Sequence, residues 1–199
     1  IILIILFSFI TPLLITSHES TFMVNMYAKK VLALQFTSVG CTGCPAMDQA
    51  IALVQADRPG EMVPIAFHMD YGVEDPMEIS SVSLFVRKYS IVSLPCLIMD
   101  FQKPSEDIIA DRISVSGALS DALTASSASS GVALNTLYDE ASRALTVTSR
   151  IATNEARRYR YHVFLVEDGV DGEYNNVVRK MLHSELYGRN VAGNDVIPA

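Results

Sequence analysis

Two cysteines three residues apart, Cys41-Thr-Gly-Cys44, stand between an apolar run and a helical pattern. No other feature restricts the fold as tightly. Val31-Leu-Ala-Leu-Gln-Phe36 is short, apolar and opens on a β-branched residue, which reads as a buried strand. From Cys44 to Ala56, Met47, Ile51 and Val54 recur at helical spacing, and Pro45 suits a first helical turn. Asp57-Arg-Pro-Gly60 ends that helix. The cysteines therefore sit where a strand delivers the chain to a helix N-terminus. Unpaired N–H groups and the helix macrodipole favour an anion there, which shifts a thiol toward its thiolate. In an enzyme, Cys41 would attack a partner disulfide and Cys44 would resolve the mixed disulfide. A bare CxxC is also half of a zinc site, but no second CxxC or His-x-x-x-His supplies further ligands. A preceding strand and a following helix point to redox chemistry instead.

The rest of the chain falls into two patterns. Met62 to Met69 reads as a second buried strand. Glu78 to Tyr89 reads as a helix with Val82, Phe85, Val86 and Tyr89 on one face. Cys96 to Phe101 is a third strand, Ile108-Ile109 starts a fourth, and Gly117 to Ser126 is a weaker helix. Strands alternating with helices give an α/β layer fold over residues 29–126. Residues 127–131, in the small-residue run from Ser126 to Gly131, read as a flexible linker. Beyond it Val132 to Tyr138, Ala144 to Ile151 and Tyr159 to Val166 are strands with polar turns and no helix between them. Residues 132–199 thus read as antiparallel β. They are fewer than the roughly 100 of a typical sandwich, so a partial β-sandwich is expected.

The 199 residues carry 15 Lys+Arg against 22 Asp+Glu, a formal charge of -7. Nucleic-acid binding needs a basic surface, so that class of partner is excluded. Three cysteines are too few for a disulfide-stapled mini-protein, and 50% apolar content rules out a disordered chain. The mean hydropathy of +0.28 is high, and much of it comes from the uncharged segment Ile1 to Ser17. Its apolar stretch falls short of the about 20 residues of a spanning helix and suits the core of a secretory signal. The first basic residue is Lys29 and no initiator Met is present, so 1–17 reads as a signal truncated at its start. A membrane anchor is the alternative. No cysteine follows the segment to carry a lipid, and 18–28 is a polar lead-in. Export would place the cysteines in an oxidising compartment.

Ile91-Val-Ser-Leu-Pro95 stands between the second helix and the third strand. With strand–CxxC–helix–strand before it, the order resembles the thioredoxin fold, a mixed sheet flanked by helices. The resemblance implies a cis peptide at Pro95, packed beside the CxxC. Val31 to Pro45, Ile65-Ala-Phe-His68, Val92-Ser-Leu-Pro95 and Val163-Phe-Leu-Val-Glu-Asp-Gly169 together resemble a Bacteroidetes envelope family. That is the twenty-eight-kilodalton outer-membrane-protein-related family, and the likeness covers about residues 29–188. It implies a thioredoxin-like domain joined to a β-sandwich, in the periplasm or on the outer membrane. Two residues depart from thioredoxins. Gln35 stands where they carry an acid six residues before the first cysteine, and it cannot take up a proton at neutral pH. Gly40 stands where they carry Trp. Both weigh against efficient thioredoxin-like reduction.

The catalytic candidates are therefore Cys41, Cys44 and Pro95, with Cys96, Gln35 and His68 as accessories. Cys96 could be a third redox partner or a metal ligand, but a buried small residue starting a strand is the plainer reading. His68 ends the second strand, where a hydrogen-bonded histidine is expected in preference to a ligand or proton relay. Asp70, Glu74 and Asp75 read as a solvated loop. Glu167-Asp-Gly169 reads as a turn without the calcium-loop pattern, and Arg157-Arg-Tyr-Arg160 as a solvated turn and strand start. No dinucleotide fingerprint, P-loop or Ser–His–Asp arrangement appears, so no cofactor is expected. The expected function is disulfide exchange with protein thiols or disulfides of the envelope. The alternative is a binding or structural envelope protein with a static Cys41–Cys44 bridge. A metal-binding module using Cys41, Cys44, Cys96 and His68 is the third.

Overall fold

The computed structural model describes residues 2–12, 28–125, 130–153, 157–182, 189–191 and 197–198. Nearly all of the lead-in at 18–28 and most of the linker at 127–131 lie outside the described residues.

Strand β1 is Ile2–Pro12, and β2, Val31–Thr37, is buried at every position. A strand covered on both faces reads as a continuous apolar run, and alternate residues of β2 enter different cores. Leu32, Leu34 and Phe36 pack with Ile65, Phe67, Val82 and Phe85. Val31 and Ala33 pack with Met47, Ile51, Val54, Val115 and Leu119. Helix α1, Cys44–Asp57, crosses to β3, Met62–His68, which runs parallel to β2 with Thr37 opposite His68. Helix α2, Val82–Tyr89, leads to β4, Cys96–Met99, antiparallel to β2 with Phe36 opposite Cys96. Helix α3, Arg112–Ala125, supplies Val115 and Leu119 to the core beneath α1. The sheet thus lies between α1 and α3 on one face and α2 on the other. This is the α/β, thioredoxin-like arrangement.

Several boundaries differ from the sequence reading, each for a local reason. α2 starts at Val82 rather than Glu78, because Glu78 is held in the preceding loop. Its Oε2 accepts the Asp70 N–H at 2.6 Å, and its own N–H donates to the Asp75 carbonyl at 3.0 Å. β4 stops at Met99 because Asp100 and Phe101 take left-handed φ values of 47° and 60°. The Asp100 carboxylate there accepts the Leu32 N–H at 2.8 Å. Ile108-Ile109 forms no strand but leads into α3, which begins at Arg112 rather than Gly117. Asp111 accepts the Ser114 N–H at 2.8 Å, the bond of an N-cap residue.

The second half is antiparallel, as expected, but it divides between two sheets. β5, Ser130–Asp139, and β6, Ala144–Thr153, form a hairpin, to which β10, Ile197–Pro198, adds. β7, Arg157–Glu167, and β8, Val177–Met181, instead extend the main sheet in the order β1-β7-β8-β3-β2-β4. β9, Arg189–Val191, also pairs with β7. A half-exposed sandwich strand buries alternate residues. In β7, Tyr161, His162, Val163 and Phe164 are all buried, so both of its faces are covered. Phe164 meets the Phe67 ring edge-on at 5.6 Å. β8 satisfies the open edge of β3, where the Ala66 N–H donates to the Asn176 carbonyl at 2.7 Å. The segment read as an export-signal core supplies β1, antiparallel to β7 with Ile5 opposite Val163. Among the described residues no helix is long and apolar enough to cross a membrane.

Candidate functional site

The chain leaves β2 through a tight turn. The Cys41 N–H donates to the Ser38 carbonyl at 3.1 Å, and the Gly40 N–H to the Ser38 hydroxyl at 3.2 Å. Gly43 then caps α1, with Pro45 in the first turn where its missing N–H costs nothing. Cys41 and Cys44 form a disulfide across this start, with Cα atoms 5.4 Å apart. Cys41 is 6% exposed and Cys44 1%, so Cys41 is the more exposed of the two. The Leu94–Pro95 peptide is cis. The Pro95 ring edge lies 3.5 Å from where a Cβ on Gly43 would stand. Pro95 therefore flanks the CxxC.

Gly40 has a specific steric cause. A Cβ there would fall 2.5 Å from the Tyr71 carbonyl oxygen and 2.7 Å from a Val73 methyl. The segment after β3 fills the space in front of the CxxC that a larger side chain would need. That segment is tied down from below. Asp75 is buried, and its Oδ2 accepts the Val39 N–H at 2.9 Å while Oδ1 accepts the Met77 N–H at 2.9 Å. Each oxygen already faces a backbone donor, so His68 Nδ1, 2.9 Å from Oδ2, donates as well. The His68 ring also meets the Tyr174 ring edge-on at 5.2 Å. His68 is thus a hydrogen-bonded strand-end histidine. The acidic run is not wholly a solvated loop, because Asp75 anchors the turn that precedes Cys41.

Gln35 shares the α1 face of β2 with Val31 and Ala33, and it is buried. Its Nε2 donates to the Asp48 carboxylate on α1. Asp48 is exposed on its outer side, but its carboxyl lies against this buried amide. Its pKa is raised, first by desolvation; the Gln35 hydrogen bond and His68 act against the rise, and Glu173 adds to it. Asp48 was not singled out by sequence reasoning. Its spacing of four residues from Cys44 was a readable signal, since i and i+4 share a helix face.

Cys96 is a free, buried thiol. It belongs to the core on the α2 side with Phe36 and Ile98, whereas α1 packs on the opposite face. Burial pushes its pKa up, Asp107 adds to the rise and Lys103 opposes it. No cluster of three or more His, Cys, Asp or Glu side chains among the described residues is arranged to hold a metal ion.

No family model matches the chain, and neither does any curated protein. The structure is similar to HBP35 of Porphyromonas gingivalis, with a TM-score of 0.72 at 12% identity. The match covers 86% of this chain and 62% of that one, so the chain spans less than two thirds of HBP35. At that identity the likeness speaks for the fold. A malarial protein gives a TM-score of 0.35 at 15% identity, covering 48% of this chain and 100% of its own. A protein from Agrobacterium tumefaciens gives 0.43 at 13% identity, covering 80% and 96%. Neither score carries an argument.

Proposed function

We propose that this chain is an exported cell-envelope protein that exchanges thiols and disulfides through Cys41 and Cys44. One observation carries the reading: the CxxC disulfide opens α1 with Cys41 as its more exposed member and with Pro95 against Gly43. A thiolate at Cys41 gains from the helix N-terminus, so its pKa is expected below the about 8.5 of a free thiol. The substrates are protein thiols or disulfides. The composition of the uncharged segment 1–17 is what favours export, whereas its pairing with β7 as β1 does not add to that reading. The proposed destination is the periplasm or the outer membrane, and the motif resemblance supports the Bacteroidetes envelope family.

The test is a glutathione redox titration with thiol trapping and mass spectrometry, alongside insulin reduction. A pair that interconverts above about -300 mV supports exchange, and one that stays oxidised below it is a structural bridge. A second reading has its own support. Cys44 is almost completely enclosed, and the Tyr71–Val73 segment closes on Gly40. Under that reading the bridge is static, and the protein serves as a binding or structural component of the envelope.

A further inference from the structure

Re-forming the Cys41–Cys44 bridge from a mixed disulfide requires Cys44 to lose a proton. Cys44 is 1% exposed, so bulk water is a poor acceptor, and burial raises a thiol pKa. A base must therefore lie within reach inside the first two turns of α1. Gln35 approaches from β2 but holds no titratable proton. Asp48 is the carboxylate on the helix face that Cys44 occupies. Residues four apart on a helix have Cβ atoms about 6 Å apart, a spacing that allows proton transfer directly or through one water.

We propose that Asp48 accepts the Cys44 proton during disulfide closure, with the Gln35 amide holding its carboxylate in place. This role rests on the exchange reading above. The step balances as follows. Starting from the dithiol, the Cys41 thiolate attacks one sulfur of a partner disulfide; that S–S bond breaks and the partner's other sulfur leaves as a thiolate. The Cys44 S–H bond then gives its proton to an Asp48 oxygen. The Cys44 thiolate attacks Cys41 Sγ, a new S–S bond forms, and the bond from Cys41 to the partner breaks. Its electron pair leaves on the partner sulfur. The chain loses two electrons, the partner disulfide gains them, and the two protons end on the partner thiols or in solvent.

The surroundings tune the acceptor. Gln35 from β2 and His68 from β3 favour the charged carboxylate, and Glu173, in the turn between β7 and β8, opposes it. Tyr174, beside Glu173, stacks edge-on against His68. Desolvation outweighs the favourable contacts and raises the carboxyl above its ordinary value. An acceptor raised toward the working pH is a better match for a thiol proton than a fully solvated carboxylate.

The test is single-turnover oxidation of the reduced chain by excess 5,5′-dithiobis(2-nitrobenzoate), followed by stopped-flow absorbance. The first chromophore release reports attack by Cys41, and the second reports resolution by Cys44. The leaving aromatic thiolate needs no proton, so the second phase isolates deprotonation of Cys44. Asp48→Asn keeps an acceptor oxygen for Gln35 but removes the base. The expected result is an unchanged first phase and a second phase slowed at least about tenfold near neutral pH, within the range of general-base effects. The deficit should shrink as pH rises and hydroxide takes the proton. In the unsubstituted chain the second phase should lose rate at acid pH as the Asp48 carboxyl protonates, which needs no variant to fold. A second phase that follows thiol ionisation alone, or one within twofold in Asp48→Asn, overturns the role. An unsubstituted chain with no first phase refutes the exchange reading itself, and this role with it.

Discussion

The Asp75 carboxylate makes the sharpest stability prediction. Its side chain is fully buried, and it serves three donors: Val39 N–H, Met77 N–H and His68 Nδ1, all at 2.9 Å. Asp75→Ala leaves all three without their acceptor. A buried polar group stripped of its partner costs about 1–3 kcal/mol. Three such losses do not simply add, because water entering the vacated space relieves part of them. Breaking a buried pair by removing one member costs about 3–5 kcal/mol, and that is the working figure. For a chain of this size each kcal/mol lowers Tm by about 2–4 °C, so the drop should be about 6–20 °C. Thermal melts followed by circular dichroism, with the Cys41–Cys44 bridge kept oxidised in both proteins, measure it. Hydrogen exchange locates it, since the Val39 amide should lose protection before the centre of β2 does. A Tm within about 2 °C of the unsubstituted chain would show that the three bonds do not act together, and the anchoring argument would fail.

Three further outcomes follow from the same geometry. Gly40→Ala drives a Cβ to 2.5 Å from a backbone carbonyl oxygen, so it should cost about 1–3 kcal/mol in urea melts as an overpacking substitution. Gly43→Ala meets only the Pro95 ring at 3.5 Å and should cost less than about 1 kcal/mol, from the cap alone; equal costs for the two would refute the steric account. Cys96 is buried with its thiol pKa pushed up, so iodoacetamide should label it only as fast as the chain opens, and rapid labelling of the native chain would contradict its placement. The folded chain holds the Asp48 proton more tightly than the unfolded one does, because its carboxyl is raised. That contribution is complete below the ordinary carboxylate value and is lost as pH rises through the folded one. Asp48→Asn should therefore remove a loss of stability with rising pH, leaving the variant relatively less stable at acid pH and relatively more stable at neutral pH; a Tm–pH curve parallel to that of the unsubstituted chain would refute the shift.

What the sequence disclosed and what it hid divide along physical lines. The strand–CxxC–helix order depends on local signals, a short continuous apolar run, then a period of about four, with Pro45 at the boundary. Such signals are short-range, so they were legible. Pro95 was placed by its position before β4, and its neighbour Gly43 is near it only because β4 pairs antiparallel to β2. The apolar, β-branched and aromatic content of Tyr159 to Val166 showed a strand but not which sheet it joins. That choice is made by β8, which fills the open edge of β3 and pairs with β7, and by the Phe67 ring about one hundred residues away. Sandwich and sheet extension begin from the same antiparallel strands, so pattern alone could not separate them.

The acidic residues show the same limit more pointedly. Composition treats Asp70, Glu74 and Asp75 alike, yet only Asp75 is buried, where three donors converge on it from the end of β3, the turn after β2 and its own loop. Gln35 read as an acid lost. In the fold its amide meets a carboxylate carried by the facing helix. The departure at Gln35 therefore counts less against exchange than the sequence suggested, because a carboxylate, Asp48, still lies one helix turn from Cys44 and in contact with Gln35. The departure at Gly40 counts differently. The space it leaves is occupied by Tyr71 and Val73, so the approach to Cys41 is shaped by the segment that Asp75 anchors. If exchange occurs, loosening that anchor should change access to Cys41 without touching the sulfur atoms. Asp75→Asn, which retains one acceptor oxygen, separates the two effects. A faster first phase with 5,5′-dithiobis(2-nitrobenzoate) and an unchanged second phase would place the barrier at the approach, whereas a matched change in both would place it at the cysteines.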